Sequence, residues 1–227
     1  MLAKFGHSGF KPTAHAQVGM PEIDYAASFD VTFAAHFQPR LDRRAEGFAS
    51  LFAALSRASP QKLLILETGC LRVADNWAGD GQSTYLFDVY AQSLLARGQE
   101  AAVLSIDLGI GSIAAARAVC SSVVNLVCND SVYALHALAR QMRGQVASLL
   151  YLDSFDLDLA DAMPSATHHL MELTAAAPLL ESGSLVAVDD YCVPGTVGGK
   201  GTLVDLYMDS IGATVLHSAY QKVWRIP

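Results

Sequence analysis

The sequence predicts an α/β protein: a doubly wound, Rossmann-like seven-stranded sheet, five strands parallel, closed by a C-terminal antiparallel hairpin, with helices on both faces. Three observations carry this. Five apolar runs, LLILETG (63–69), AVLSIDLG (102–109), VVNLVCND (123–130), SLLYLDSFD (148–156) and SLVAVDDY (184–191), each end on an acidic or polar residue. Helix-length segments separate them, and two short strand-like runs follow the last. Near-continuous apolar runs suit a parallel sheet buried on both faces. Ligands of such sheets bind outside the carboxyl ends of the strands, where these acids sit.

The elements follow in order. Residues 1–60 stand outside the repeat and read as a helical extension to a domain spanning 61–227. They carry Phe5, Phe10, Tyr25, Phe29, Phe33 and Phe37, then an amphipathic helix with Phe48, Leu51, Phe52 and Leu55 on one face. This extension reads either as a helix packed on the sheet edge or as a lid over the ligand site. A helix is expected over 83–97, capped by Ser83 and Thr84 and stopped by Gly98. Others are expected over 112–122, 132–142, 163–180 and 201–211. Pro164 fits the first turn of its helix, and Pro178 ends that helix early. The tail, ATVLHSAY then QKVWRIP, gives the hairpin.

At 227 residues the chain can bury a full core. Only 16% of it is charged, against roughly 25% on average, which suits a sandwiched sheet and leaves room for a homo-oligomer face. The formal charge of −7 argues against nucleic acid as a partner. No apolar stretch approaches the ~20 residues of a membrane span, and the leading residues lack a secretory segment, so a cytoplasmic protein without a membrane partner is expected. Cys70, Cys120, Cys128 and Cys192 form no CxxC pair and read as buried, reduced thiols.

The first strand ends Glu67-Thr68-Gly69, and the turn Gly79-Asp80-Gly81-Gln82-Ser83 precedes the first helix of the repeat. Glycines let backbone approach a ligand, and a helix N-terminus offers free N–H groups. Asp107 ends the second strand, placed to accept from both hydroxyls of a ribose. Asn129 and Asp130 end the third, where an adenine would lie. The glycines do not make a dinucleotide fingerprint, and Glu67 would repel a pyrophosphate. A phosphate-free cofactor with a positive centre suits this end better.

On these residues, 62–227 resembles the class I S-adenosylmethionine-dependent methyltransferases. The resemblance implies that Glu67 and Gly69 contact the methionine part of the cofactor, that Asp107 holds the ribose, and that Asn129 and Asp130 border the adenine. Gly79, Gly81 and Ser83 would line the turn beneath it. The chain departs from that pattern in an insertion over 70–78, with Arg72, Asp75, Asn76 and Trp77. Trp77 reads either as a ring for stacking on an acceptor or as a pin holding the insertion.

Asp153 ends the fourth strand, and Asp189 and Asp190 end the fifth. Neighbouring strands lie ~4.8 Å apart, so these carboxylates can converge. Together they repel unless one protonates or a cation neutralises them, and magnesium is the natural candidate. The trio is similar to that of the metal-dependent O-methyltransferases acting on sugars of macrolide antibiotics. That resemblance implies a cation binding two vicinal oxygens of a small hydroxylated acceptor, with Asp153 at the reacting centre. The same acids also read as helix or turn caps. His168, beside His169 on the following helix, is the candidate general base, with helix packing as its alternative. His7, His15 and His36 reach the cleft only if the extension folds over it, and His217 reads as structural. Lys200, in the glycine-rich segment CVPGTVGGKG (192–201), reads first as a solvated loop charge and second as a contact to an anionic acceptor. A nicotinamide-dependent oxidoreductase, a metal-dependent glycosyltransferase using a nucleotide sugar, and a non-catalytic binding domain stay open as alternatives.

Overall fold

The computed structural model describes residues 20–25 and 27–227. Phe5, Phe10, His7 and His15, with any lid they would form, lie outside the described residues. The seven strands are β1 (Lys62–Thr68), β2 (Glu100–Asp107), β3 (Val124–Cys128), β4 (Leu149–Leu152), β5 (Leu185–Val188), β6 (Thr214–Ser218) and β7 (Lys222–Arg225). They form one sheet in the order β3-β2-β1-β4-β5-β7-β6. The first five pair in parallel, and β7 runs antiparallel to both β5 and β6. The sheet is therefore as the sequence predicts. Its order reverses at β1, which pairs with β2 on one side and β4 on the other. That is the switch point where open α/β sheets open a crevice.

Strand alternation divides the core between the two faces. Leu63, Ile65, Val103 and Tyr151 face one cluster; Leu64, Leu66, Leu104 and Leu150 face the other. The first face is covered by α2 (Ala45–Ala58), α4 (Ser83–Ala96) and α5 (Ile110–Val119). The second is covered by α6 (Ser131–Gln141), α7 (Met163–Ala176) and α8 (Thr202–Ser210). Pro178 acts as expected: α7 stops at Ala176 and a single 3-10 turn over Ala177–Leu179 follows. β3 departs from the buried pattern because it is an edge strand, only half covered along most of its length.

The described part of the extension packs across the first sheet face, beyond the edge position expected. It begins with α1 (Phe29–Thr32), which continues into a wider turn over Phe33–Phe37. Phe29 and Phe33 lie against Phe52, and Phe29 meets Tyr90 of α4 edge-on at 4.9 Å. Phe48 of α2 stacks on Tyr151 of β4 at 5.7 Å. Trp77, in the short α3 (Trp77–Asp80), stacks on Phe37 at 5.5 Å and donates to Asp75, so it pins the insertion. His36 faces solvent. All four cysteines are free, but only Cys70 and Cys120 are buried. Cys128 is exposed because it ends the edge strand, and Cys192 because it lies in the loop beyond β5.

Candidate active site

Register brings the strand-end residues to one edge. Thr68 is level with Ile106 on one side and Leu152 on the other, so Gly69, Asp107 and Asp153 emerge together. Gly69 has φ +79, and a Cβ there would stand 2.3 Å from the Asp153 carbonyl oxygen. Only glycine lets the β1 turn approach β4 this closely. Asp107 accepts from Cys70 N at 3.0 Å and from Gly109 N at 2.6 Å, which fixes its carboxylate. Asp130 caps α6 by accepting from Tyr133 N at 2.8 Å, and Asn129 accepts from Asp130 N. Asp107, Leu108, Asp130, Ser131, Phe155 and His168 line a cavity of about 120 Å³. Leu108 and Phe155 are the exposed apolar members of this lining. Hollows of about 270 and 230 Å³ lie around Pro60 near the amino ends of the strands, away from these acids, and one of about 200 Å³ lies beside the end of β3, where Asn129 and Tyr133 line it.

Glu67 does not reach this cavity. It lies on the α4 face, fully buried, accepting from Ser83 Oγ at 2.6 Å and Ser105 Oγ at 2.5 Å. Burial pushes its carboxyl up to about 7, against the pull of the two serines. Ser83 is thereby committed to Glu67. Gly79 lies within α3, where a Cβ would meet the Asn76 side chain at 2.6 Å. Gly81 has φ +69, and a Cβ would stand 2.8 Å from Arg44 Cδ, so it clears a path for that arginine.

Arg44 leads to the second half of the site. The Leu152–Val188 pairing sets Asp153 beside Asp189. Asp190 adopts φ +49, the left-handed region that aspartate enters more readily than most residues. That kink breaks strand alternation and lets consecutive aspartates face the same point. Ligand atoms of Asp153, Asp189 and Asp190 lie within 4.8 Å of one another. Two buried cations meet them. Lys200 Nζ donates to Asp153 Oδ1 at 2.5 Å and to Asp190 Oδ2 at 3.0 Å. Arg44 Nε donates to Asp189 Oδ2 at 2.8 Å. Tyr220 donates its hydroxyl to Asp190 Oδ1. Lys200 is 2% exposed, which overturns its reading as a solvated loop charge. Asp189 Oδ1 is buried with no protein partner among the described residues.

Charge balance follows from this packing. Burial raises the Asp153 carboxyl, the Lys200 ammonium opposes that, and Asp189 and Asp190 add to the rise. Burial works against both cations too, but the carboxylates outweigh it and hold Arg44 and Lys200 protonated. Across the switch, His168 Nε2 lies 3.0 Å from Ser131 Oγ and 3.3 Å from Glu172 Oε1. Glu172 is fully buried and also accepts from Thr68 and Ser154. Burial pushes Glu172 up, yet its hydrogen bonds, His168 first, hold it below the usual range. His168 is raised in turn, chiefly by its bond to Glu172. His169 is buried, its Nδ1 at 2.7 Å from the Ser165 carbonyl, and burial drops it to about 4.

Sequence reasoning missed Arg44, Glu172 and Tyr220. Arg44 was legible in principle: it precedes Phe48 by four residues and so continues the apolar stripe of α2. A charge on a buried stripe needs a partner of opposite sign.

This sheet order, with its closing hairpin and strand-end crevice, defines a Rossmann-like methyltransferase fold. No protein-family model and no curated protein matches the chain. Solved structures match it in fold. One is the methyltransferase MycE of the mycinamycin biosynthetic pathway in complex with Mg, SAH and mycinamycin VI, at TM-score 0.53 and 13% identity over 81% of this chain. The chain covers 49% of that protein, about half its length. The calicheamicin methyltransferase CalS11 matches at TM-score 0.51 and 17% identity, over 82% of this chain and 80% of its own. An O-methyltransferase from Bacillus cereus in complex with SAH matches at 0.50 and 15%, over 78% and 80%.

Proposed function

We propose that the protein is an S-adenosylmethionine-dependent methyltransferase that O-methylates a small hydroxylated molecule. The observation that carries this is the pairing of two half-sites across the β1–β4 switch. On one side lies a cavity with a fixed Asp107 and flanking apolar groups; on the other lies a buried acid cluster. Asp107 takes the ribose hydroxyls. Leu108 and Phe155 flank the adenine, and Asp130 and Ser131 border it. The sulfonium then lies toward Gly69 and Asp153, with the acceptor hydroxyl at the aspartates.

Asp153 is the group we assign as base. Its carboxylate stands at the end of β4, level with Gly69 and within the acid cluster, between the two half-sites. The acceptor O–H proton passes to Asp153, the oxygen attacks the methyl carbon, and the C–S bond breaks to leave the neutral thioether. Orientation and charge supply most of the rate. His168, in the wall of the cofactor cavity, is assigned to positioning there, a change from the general-base expectation.

Magnesium matches the aspartate trio in donor type, and Asp189 Oδ1 offers an open acceptor. As folded, however, Lys200 stands against Asp153 and Asp190, and Arg44 holds Asp189. The place does not fit an added ion, and no step here runs through one.

A ligand series tests the cofactor class. Thermal unfolding should shift upward with S-adenosylhomocysteine and not with a nucleotide sugar or a nicotinamide dinucleotide. Stabilisation by the nucleotide sugar or by the nicotinamide dinucleotide, with none from S-adenosylhomocysteine, would overturn the assignment.

A further inference from the structure

We infer that Lys200 is the resident cation of the aspartate cluster, standing where a divalent ion would otherwise bind, and that the turn carrying it is built to keep it there. This rests on geometry alone and does not require the methyltransferase reading.

Three observations support it. The ammonium lies 2.5 Å from Asp153 and 3.0 Å from Asp190, the span a bridging cation would occupy between two carboxylates. Lysine is almost never fully buried unless paired, and here both partners belong to the trio. The turn itself is shaped around the β5 corner. Gly199 has φ +46, and a Cβ there would stand 1.9 Å from the Asp190 carbonyl oxygen. Gly201 would bring a Cβ to 2.7 Å from the Tyr191 ring, and Gly198, at φ +76, one to 2.8 Å from Thr202 Oγ1. Lys200 N donates to the Asp190 carbonyl at 3.2 Å. The glycines flanking the lysine thus seat the turn against Asp190 and direct its side chain inward.

The consequence concerns metal selectivity. Three carboxylates, with one buried oxygen that has no partner among the described residues, are a donor set for a hard divalent cation. A fixed monovalent cation inside that set repels a divalent one at close range, where screening is weak. Removing the ammonium opens the place and restores negative charge.

Manganese, a magnesium substitute visible by electron spin resonance, gives the test. The full chain is titrated with Mn²⁺ as wild type, Lys200→Met and Lys200→Gln, the second retaining a hydrogen-bonding group should the first misfold. The expected result is millimolar or weaker Mn²⁺ binding by wild type, at least tenfold tighter binding by a folded variant, and loss of that gain when Asp153→Asn is added. Micromolar binding by wild type would overturn the inference, and so would a folded variant with no gain. S-adenosylhomocysteine binding on the same samples reports separately on the cofactor site, so failure of one reading is not confused with failure of the other.

Discussion

Glu67 sits in the strand-end motif that the sequence assigns to the cofactor, yet its carboxylate turns to Ser83 and Ser105. The parity of β1 decides this: Glu67 shares a face with Leu63 and Ile65, and so points to α4. A motif read as a string fixes the position but not the direction of its side chain. The consequence is measurable. The folded value, about 7, exceeds the ordinary 4.5, so between these pH values the folded state holds a proton that the unfolded state has lost. Stability present below pH ~4.5 is lost as pH rises toward ~7, by about 3 kcal/mol. In Glu67→Gln that loss should vanish, so the stability of wild type relative to the variant should fall by this amount over the window in urea titrations. A pH-independent difference would contradict the burial assigned to Glu67. Arg44 permits a second test. Arg44→Met should cost about 3–5 kcal/mol because it strands a buried Asp189, and Asp189→Asn in that background should recover part of the loss. Strictly additive losses would show the pair to be uncoupled.

At the scale of elements, apolar runs and spacing made the strands and helices legible, because burial on both faces writes itself into composition. Strand ends were less so. The runs 148–156 and 184–191 shrink to Leu149–Leu152 and Leu185–Val188, since the acids that follow leave the sheet to form the site. In the segment 192–201 glycine signals both freedom and close approach, and only tertiary contacts separate the two. Gly199→Ala tests which applies. With its positive φ and the Asp190 carbonyl in the way, the substitution should cost more than Gly98→Ala, where φ is +81 but nothing lies within 4 Å. The Gly98 change should cost about 1 kcal/mol and leave the Lys200 turn untouched. Hydrogen exchange over 198–202 should rise in Gly199→Ala alone. Equal exchange in both variants would mean that the turn is not seated as described.

For the whole molecule, the proposal rests on one switch point that brings the Asp107 cavity and the acid cluster to the same edge of the sheet, and the acids at the strand ends made that edge legible. What the sequence did not show is how the extension joins them. Arg44 comes from the start of α2, 145 residues before the aspartate it binds. Its aromatic neighbours fold α1 and α2 onto the same core as the sheet, so the first described segment helps to build the acid cluster. Contacts at such separation leave little local pattern, and only the charge on the α2 stripe hinted at them. Among the described residues no helix is long and apolar enough to cross a membrane.

Calorimetric titration of S-adenosylmethionine and S-adenosylhomocysteine into wild type and Asp107→Ala tests the central claim most directly. Micromolar binding by wild type, weakened at least tenfold in a variant whose circular dichroism is unchanged, is the predicted result. A folded wild type that binds neither ligand, or that binds both as well without the Asp107 carboxylate, would contradict the cofactor site described here.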